Sequence, residues 1–192
     1  MKLFLIMLVF AVALPALPQT SQRKQASPAD RMAQKLAYLQ ANGAKQKPDA
    51  APTVLTEEEI NAYFAERRMK MPSGVKSLSY KGAPGKITAQ TKVDFDEIRA
   101  GRGSGNPLLS IFSGVHDVTA QANARGQGGI ANVDIQTVSL DGVEIPHFVL
   151  QLFIDKFIKP KYPNIGLETQ FKMPSRVDSA VIDTGKVTLI QK

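Results

Sequence analysis

The hydrophobic pattern first has helical spacing, then alternates as in strands, and returns once to helical spacing before the final strands. Residues 28–42 have a thin apolar stripe at helical spacing, and residues 55–64 have a fuller one. Alternation of apolar and polar positions predicts a series of strands after that point. The predicted strands cover residues 75–80, 87–95, 116–124, 130–140, 168–173, 177–182 and 186–190.

Two predicted helices have clear start signals. Ser27 and Pro28 suit the N-cap and the first helical position of a helix that stops before Gly43. Thr56 and Glu59 have the spacing of a capping box, in which each side chain accepts a hydrogen bond from the other residue's backbone N–H. We therefore expect helices to begin directly after Ser27 and Thr56.

The segment 145–158 predicts a third helix with a very wide apolar face. Its polar side chains form one narrow stripe with a spacing of four residues. That stripe consists of His147, Gln151, Asp155 and Lys159. Because the other side chains are almost all large and apolar, we expect the helix to be covered on most sides, with Leu152 facing the sheet.

The order of elements predicts an α+β fold. Short turns join most neighbouring strands, and such hairpins make an antiparallel sheet. The apolar positions change phase between Ile135 and Val138, which indicates a bulge. We expect a curved antiparallel sheet wrapped around the hydrophobic helix.

The N-terminus has the features of a secretory signal peptide. Lys2 precedes an apolar run over 3–14 that is too short to cross a bilayer as a helix. The predicted organisation is a signal peptide over 1–18, a basic linker with one separate helix over 19–53, and a single α+β domain over 54–192. An uncleaved membrane anchor is the alternative for the first segment. The chain has no Cys, so neither a disulfide nor a thioether-linked lipid is expected in the exported protein.

The net charge of +7 is concentrated near the N-terminus. Residues 21–50 contain six basic and two acidic side chains, whereas residues 51–192 contain seventeen and fifteen. The domain is nearly balanced, which argues against a nucleic-acid partner. The basic tail either contacts an anionic membrane surface or is a solvated tether.

Candidate chemistry is sparse. His116 and His147 lack the spacing of a zinc site, and the acidic cluster over 94–97 lacks the ligand pattern of a calcium loop. The glycine-rich stretch 101–107 has neither the P-loop ending nor the dinucleotide-binding spacing. We expect no catalytic residues, no metal and no cofactor, and therefore not an enzyme.

Three motifs in order resemble small bacterial envelope proteins with a tubular lipid-binding (TULIP-like) fold. They are Leu-Thr-x-x-Glu-Ile-Asn-Ala over 55–62, Leu-Asp-Gly-Val-Glu-Ile-Pro over 140–146, and a closing strand pattern over 173–189. The resemblance covers about 54–192. It implies a highly curved antiparallel sheet on a long helix, with an apolar groove for lipid tails and no catalytic residues. This chain has the length of one short unit.

Two functions remain open from the sequence. The first is an exported envelope protein that binds a lipid or another apolar ligand in a groove between sheet and helix. The second is a non-enzymatic structural or protein-interaction module of the envelope, in which the same side chains fill an ordinary core. The candidate ligand-binding residues are Phe148, Leu152, Phe153, Phe157, Ile87, Val93, Ile135 and Val138.

Overall fold

A computed structural model describes residues 26–100 and 112–192. It confirms the α+β class and the antiparallel sheet. The strands are β1 (Thr53–Thr56), β2 (Val75–Ala83), β3 (Lys86–Asp94), β4 (Val115–Gln127), β5 (Ile130–Leu140), β6 (Val143–Glu144), β7 (Glu168–Lys172), β8 (Val177–Asp183) and β9 (Lys186–Gln191). The helices are α1 (Pro28–Gly43), α2 (Glu57–Ala65), α3 (Phe95–Arg99) and α4 (His147–Phe153), the last continuing as a π-helical turn over Ile154–Ile158.

The long strand β4 organises the nine-stranded sheet. One edge of β4 pairs with β5, which also pairs with β6 and β7. The other edge pairs first with β3 and then, at Gly126, with β8. A Cβ atom at Gly126 would lie 2.8 Å from the Cβ of Ala180 and 2.8 Å from the sulfur of Met173. Only glycine therefore lets β8 come this close to β4.

The predicted bulge is confirmed in the pairing of β4 with β5. Gln121 lies opposite Thr137, but Ala122 lies opposite Ile135, so Gln136 is the extra residue of β5. This extra residue returns Ile135 to the face that carries Val138.

The two predicted helix starts are also confirmed. The Ser27 side chain accepts from the Asp30 N–H at 3.1 Å. At α2, the Thr56 hydroxyl accepts from the Glu59 N–H at 3.2 Å and the Glu59 carboxylate accepts from the Thr56 N–H at 3.0 Å. Both caps satisfy backbone donors that would otherwise lack partners in the first turn.

The prediction that the first helix is separate from the domain was wrong. Ala29 is fully buried and Leu39 is 5% exposed, because α1 packs on α2 and on the end of the sheet. Met32 contacts the cluster that contains Ile60 of α2. The apolar stripe of α1 is thin, but it is wide enough for a helix that rests on one surface.

A buried glutamate joins α1 to α2. The Glu59 side chain is 3% exposed and accepts from the Lys35 ammonium at 2.6 and 2.8 Å and from the Arg31 guanidinium at 3.2 Å. Burial alone would raise the pKa of Glu59, but the hydrogen bonds from Lys35, the Thr56 backbone and Arg31 outweigh it and lower the pKa. The charged carboxylate therefore stabilises the contact between the two helices.

A second polar contact fixes the other end of α1. Asn42 is 1% exposed and Gln191 is 2% exposed. The Asn42 amide donates to the Gln191 side-chain oxygen at 2.8 Å, and the Gln191 amide donates to the Leu39 carbonyl at 2.7 Å. This pair joins the end of α1 to the last strand, so α1 is part of the folded unit.

Candidate apolar site on the sheet

One face of β4 carries only small or apolar side chains beyond His116. Those residues are Val118, Ala120, Ala122, Ala124 and Gly126, at every second position. Residues directly opposite in an antiparallel pair project from the same face. The pairing therefore extends this face across the neighbouring strands.

Two rows of apolar residues cross the middle of this face. Ile87 of β3 lies opposite Ala122, and Ala122 lies opposite Ile135 of β5. In the next row, Ala89 lies opposite Ala120, and Ala120 lies opposite Val138. We call these six residues the sheet floor. Three strands at their usual spacing make the floor about 10 Å wide.

Helices cover both ends of the same face. At one end, Val93 and Val118 pack against the cluster that contains Phe153 of α4. At the other end, Ala131 and Ala180 pack against the cluster that contains Leu39 of α1. The sheet floor lies between these two helix-covered ends.

The sheet floor is only half covered. Ile87, Ala89, Ala120, Ile135 and Val138 are all partly exposed, and Ala122 alone is buried. The face is thus apolar without being fully enclosed by the described residues.

One polar atom lies beside the floor. Tyr80 of β2 is opposite Ala89, and its hydroxyl is buried without a hydrogen-bond partner in the described part of the chain. Burial, with a smaller effect from the Glu57 carboxylate, raises the pKa of Tyr80. Its hydroxyl is therefore neutral at pH 7 and has a donor to offer.

The space between α4 and the sheet is filled by aromatic rings. The Phe153 ring lies 4.5 Å from the Phe112 ring, 5.1 Å from the Phe157 ring and 5.5 Å from the Phe95 ring, between centroids. These distances are typical of packed aromatic pairs. Directly beneath α4, the residues form a core.

The structure divides the eight candidate ligand residues into three groups. Val93, Phe153 and Phe157 are buried in the core under α4, and Val138 borders that core. Ile87 and Ile135 lie in one row of the sheet floor. Phe148 and Leu152 form the third group, on the outer side of α4.

The expectation that Leu152 faces the sheet was wrong. Leu152 is 37% exposed and Phe148 is 61% exposed. The buried side of the helix instead consists of Val149, Leu150, Phe153, Ile154 and Phe157. A helix that rests on one surface buries only one side, so two large residues remain beside the polar stripe.

His116 joins the start of β4 to the turn that follows β5. Its Nδ1 lies 2.6 Å from a carboxylate oxygen of Asp141, and its Nε2 lies 2.6 Å from the carbonyl oxygen of Ser113. Both neighbours are acceptors, so the protonated ring satisfies both contacts. The Asp141 carboxylate, followed by the Ser113 carbonyl, raises the pKa of His116.

The sequence did not identify the alanines of β4 as site residues, although their alternation with polar residues predicted the strand over 116–124. What could not be seen was their register against Ile87 and Ile135, which depends on long-range pairing.

Within residues 26–100 and 112–192, no cluster of three His, Asp or Glu side chains is placed to hold a metal ion. No helix in those ranges is long and apolar enough to span a bilayer. The glycine-rich stretch 101–107 lies outside the described residues.

Comparison with protein-family models, curated proteins and solved structures gave no significant match.

Proposed function

We propose that this protein is exported to the cell envelope and binds a lipid tail or a similar apolar ligand on the sheet floor. The observation that supports the proposal is a half-covered apolar surface between two helix-covered ends of one sheet face. The resemblance to TULIP-like proteins agrees with a lipid as the ligand.

The ligand lies beside α4 in this proposal. Aromatic rings already occupy the space directly under the helix, so tail contacts come from Ile87, Ala120 and Ile135. Burial of about 200 Å² of apolar surface would contribute roughly 5 kcal/mol before the cost of association.

Export is part of the same proposal. The signal peptide is removed between about residues 13 and 19, as the short apolar run and the small residues after it indicate. The intact mass of protein purified from the envelope tests this, and a mass that retains residues 1–14 would contradict it.

The basic tail is a weaker candidate for membrane contact than its charge suggests. Arg31 and Lys35 bind Glu59 and are therefore not free to attract lipid head groups. Contact between the tail and an anionic membrane would have to come from its remaining basic residues, Arg23, Lys24, Lys45 and Lys47.

The second candidate function is a structural or protein-interaction module of the envelope. The filled aromatic cluster under α4 favours it, because packing of this kind is typical of an ordinary core. In that case the sheet floor binds no small molecule.

Native mass spectrometry with organic extraction of bound ligand separates the two functions. The test variant is Ala120→Phe, which places a large ring on the sheet floor. The matched control is Gln121→Phe, which adds the same ring to the exposed opposite face of the same strand.

We expect the wild type and Gln121→Phe to carry an extractable lipid and Ala120→Phe to lack it while remaining folded. A wild type that purifies without ligand and binds no added fatty acid or phospholipid would overturn the proposal and favour the structural module. Equal ligand content in all three proteins would place any site away from the floor.

A further inference from the structure

We propose that the outer side of α4 and the segment after it form a docking surface for an anionic lipid bilayer. Phe148 and Leu152 are one helical turn apart, and both are exposed, at 61% and 37%. Neither belongs to the buried cluster under α4. Transfer of a large exposed aromatic side chain from water into an apolar medium is favourable.

Lysines follow these apolar side chains along the chain. Lys156 comes one turn after Leu152, and Lys159 and Lys161 come next. All three are exposed. Residues 147–161 contain these three lysines and a single acidic residue, Asp155, which gives a net charge of +2 with His147 neutral.

The one acidic side chain in this segment is already neutralised. The Asp155 carboxylate accepts from the Lys159 ammonium at 2.6 Å and from the Gln151 amide at 2.9 Å. Within the described residues, Lys156 and Lys161 form no ion pair, and the Lys161 ammonium lies 5.6 Å from the centre of the Tyr162 ring. The charge available to a partner is therefore positive.

Two features of this surface together match a bilayer: its exposed apolar side chains and its lysines. Apolar side chains flanked by lysines are the pattern of a helix that lies in a membrane interface, with its apolar residues among the lipids and its cations at the phosphates. Tyr162, which is 41% exposed, adds an aromatic ring of the kind enriched at that depth.

The docking surface extends the proposed function without depending on it. Because α4 covers one end of the sheet face, docking through its outer side would bring that end close to the membrane. The surface does not require the sheet floor to hold a ligand, so the two proposals fail separately.

The test is co-sedimentation of the exported protein with vesicles of phosphatidylcholine, with and without phosphatidylglycerol. The apolar variant is Phe148→Ser with Leu152→Ser, and the charge variant is Lys156→Glu with Lys161→Glu. The matched control is Val181→Ser, because Val181 is 57% exposed on β8, away from α4.

We expect the wild type and the control to bind the anionic vesicles and to be released by salt. The apolar variant should bind at least about ten-fold more weakly, because it loses the two side chains that would be buried in the bilayer. Neutralising a lysine costs roughly five-fold, and reversing two should cost more. Unchanged denaturation midpoints would show that the variants are folded.

Equal binding by the wild type and the apolar variant would overturn the proposal. So would binding that is lost only when Arg23 and Lys24 are reversed, because the basic tail would then be the membrane contact. A wild type that binds neither kind of vesicle would also refute it, whether or not lipid is extracted from the sheet floor.

Discussion

Phe153→Ala tests whether the aromatic cluster under α4 is the main core of this half of the protein. Phe153 is 8% exposed and its ring packs against three other phenylalanine rings. Truncation of a buried Phe costs about 3–5 kcal/mol, and lost aromatic pairs add about 0.5–1.5 kcal/mol each. We expect the upper end of the first range, about 5 kcal/mol, which for a domain of this size lowers Tm by roughly 10–20 °C.

The matched control is Phe148→Ala, which removes the same side chain from the same helix at a position that is 61% exposed. We expect it to change the free energy of unfolding by less than about 0.5 kcal/mol, as surface substitutions usually do. Urea denaturation followed by far-UV circular dichroism suits a chain without Trp. Similar losses in the two variants would refute the orientation of α4. A loss below about 1 kcal/mol for Phe153→Ala would show that the cluster is not tightly packed.

Three further predictions concern the polar contacts. Thr56→Ala should lower the free energy of unfolding by about 1 kcal/mol, because it removes the cap of α2, and an unchanged urea midpoint would contradict this. Because the pKa of Glu59 is lowered in the folded protein, its stabilising effect is complete at pH values above its ordinary pKa and is lost as pH falls through the folded pKa. Glu59→Gln weakens the contact with Lys35 and should therefore be less stable than the wild type at pH 7. It should also lose less stability on acidification, as urea midpoints measured across acidic pH would show. The pKa of His116 is raised, so the pH dependence of its stabilising effect is the opposite: the effect is complete below about pH 6.5 and is lost as pH rises through the folded pKa. Asp141→Asn should lower the His116 pKa towards its ordinary value, as measured by NMR titration. An unchanged titration would contradict the contact.

Local signals in the sequence predicted local structure well. The caps at Ser27 and Thr56 and the bulge after Ile135 are encoded by residues within a few positions of one another. The short turns between neighbouring strands likewise predicted the antiparallel sheet, because such connections join strands of opposite direction. These features need no knowledge of what a segment packs against.

Features that depend on distant partners could not be predicted in the same way. The docking of α1 depends on Lys35 reaching Glu59 and on Asn42 reaching Gln191, which is 149 positions away in the chain. The hydrophobic periodicity also overestimated how much of the α4 surface is buried. The spacing of apolar residues is the same whether a side chain such as Phe148 faces a core or the solvent. Sequence alone therefore assigned eight residues to one groove that the structure divides among a core, a sheet floor and an outer helix face.

Three alanines of β3 and β4 distinguish the sheet floor from the rest of this sheet face. Under α4 the same face is filled by phenylalanines, yet the two rows between the helices carry Ala89, Ala120 and Ala122 beside Ile87 and Ile135. A face selected only for a packed core would carry larger side chains wherever a helix leaves room, because each unfilled methyl-sized gap costs about 1 kcal/mol. Small residues at three central positions of this half-covered apolar face would allow an apolar chain to lie close to the strands. This contrast within one sheet face is the physical reason to test the floor for a bound ligand before interpreting the whole domain as a structural module.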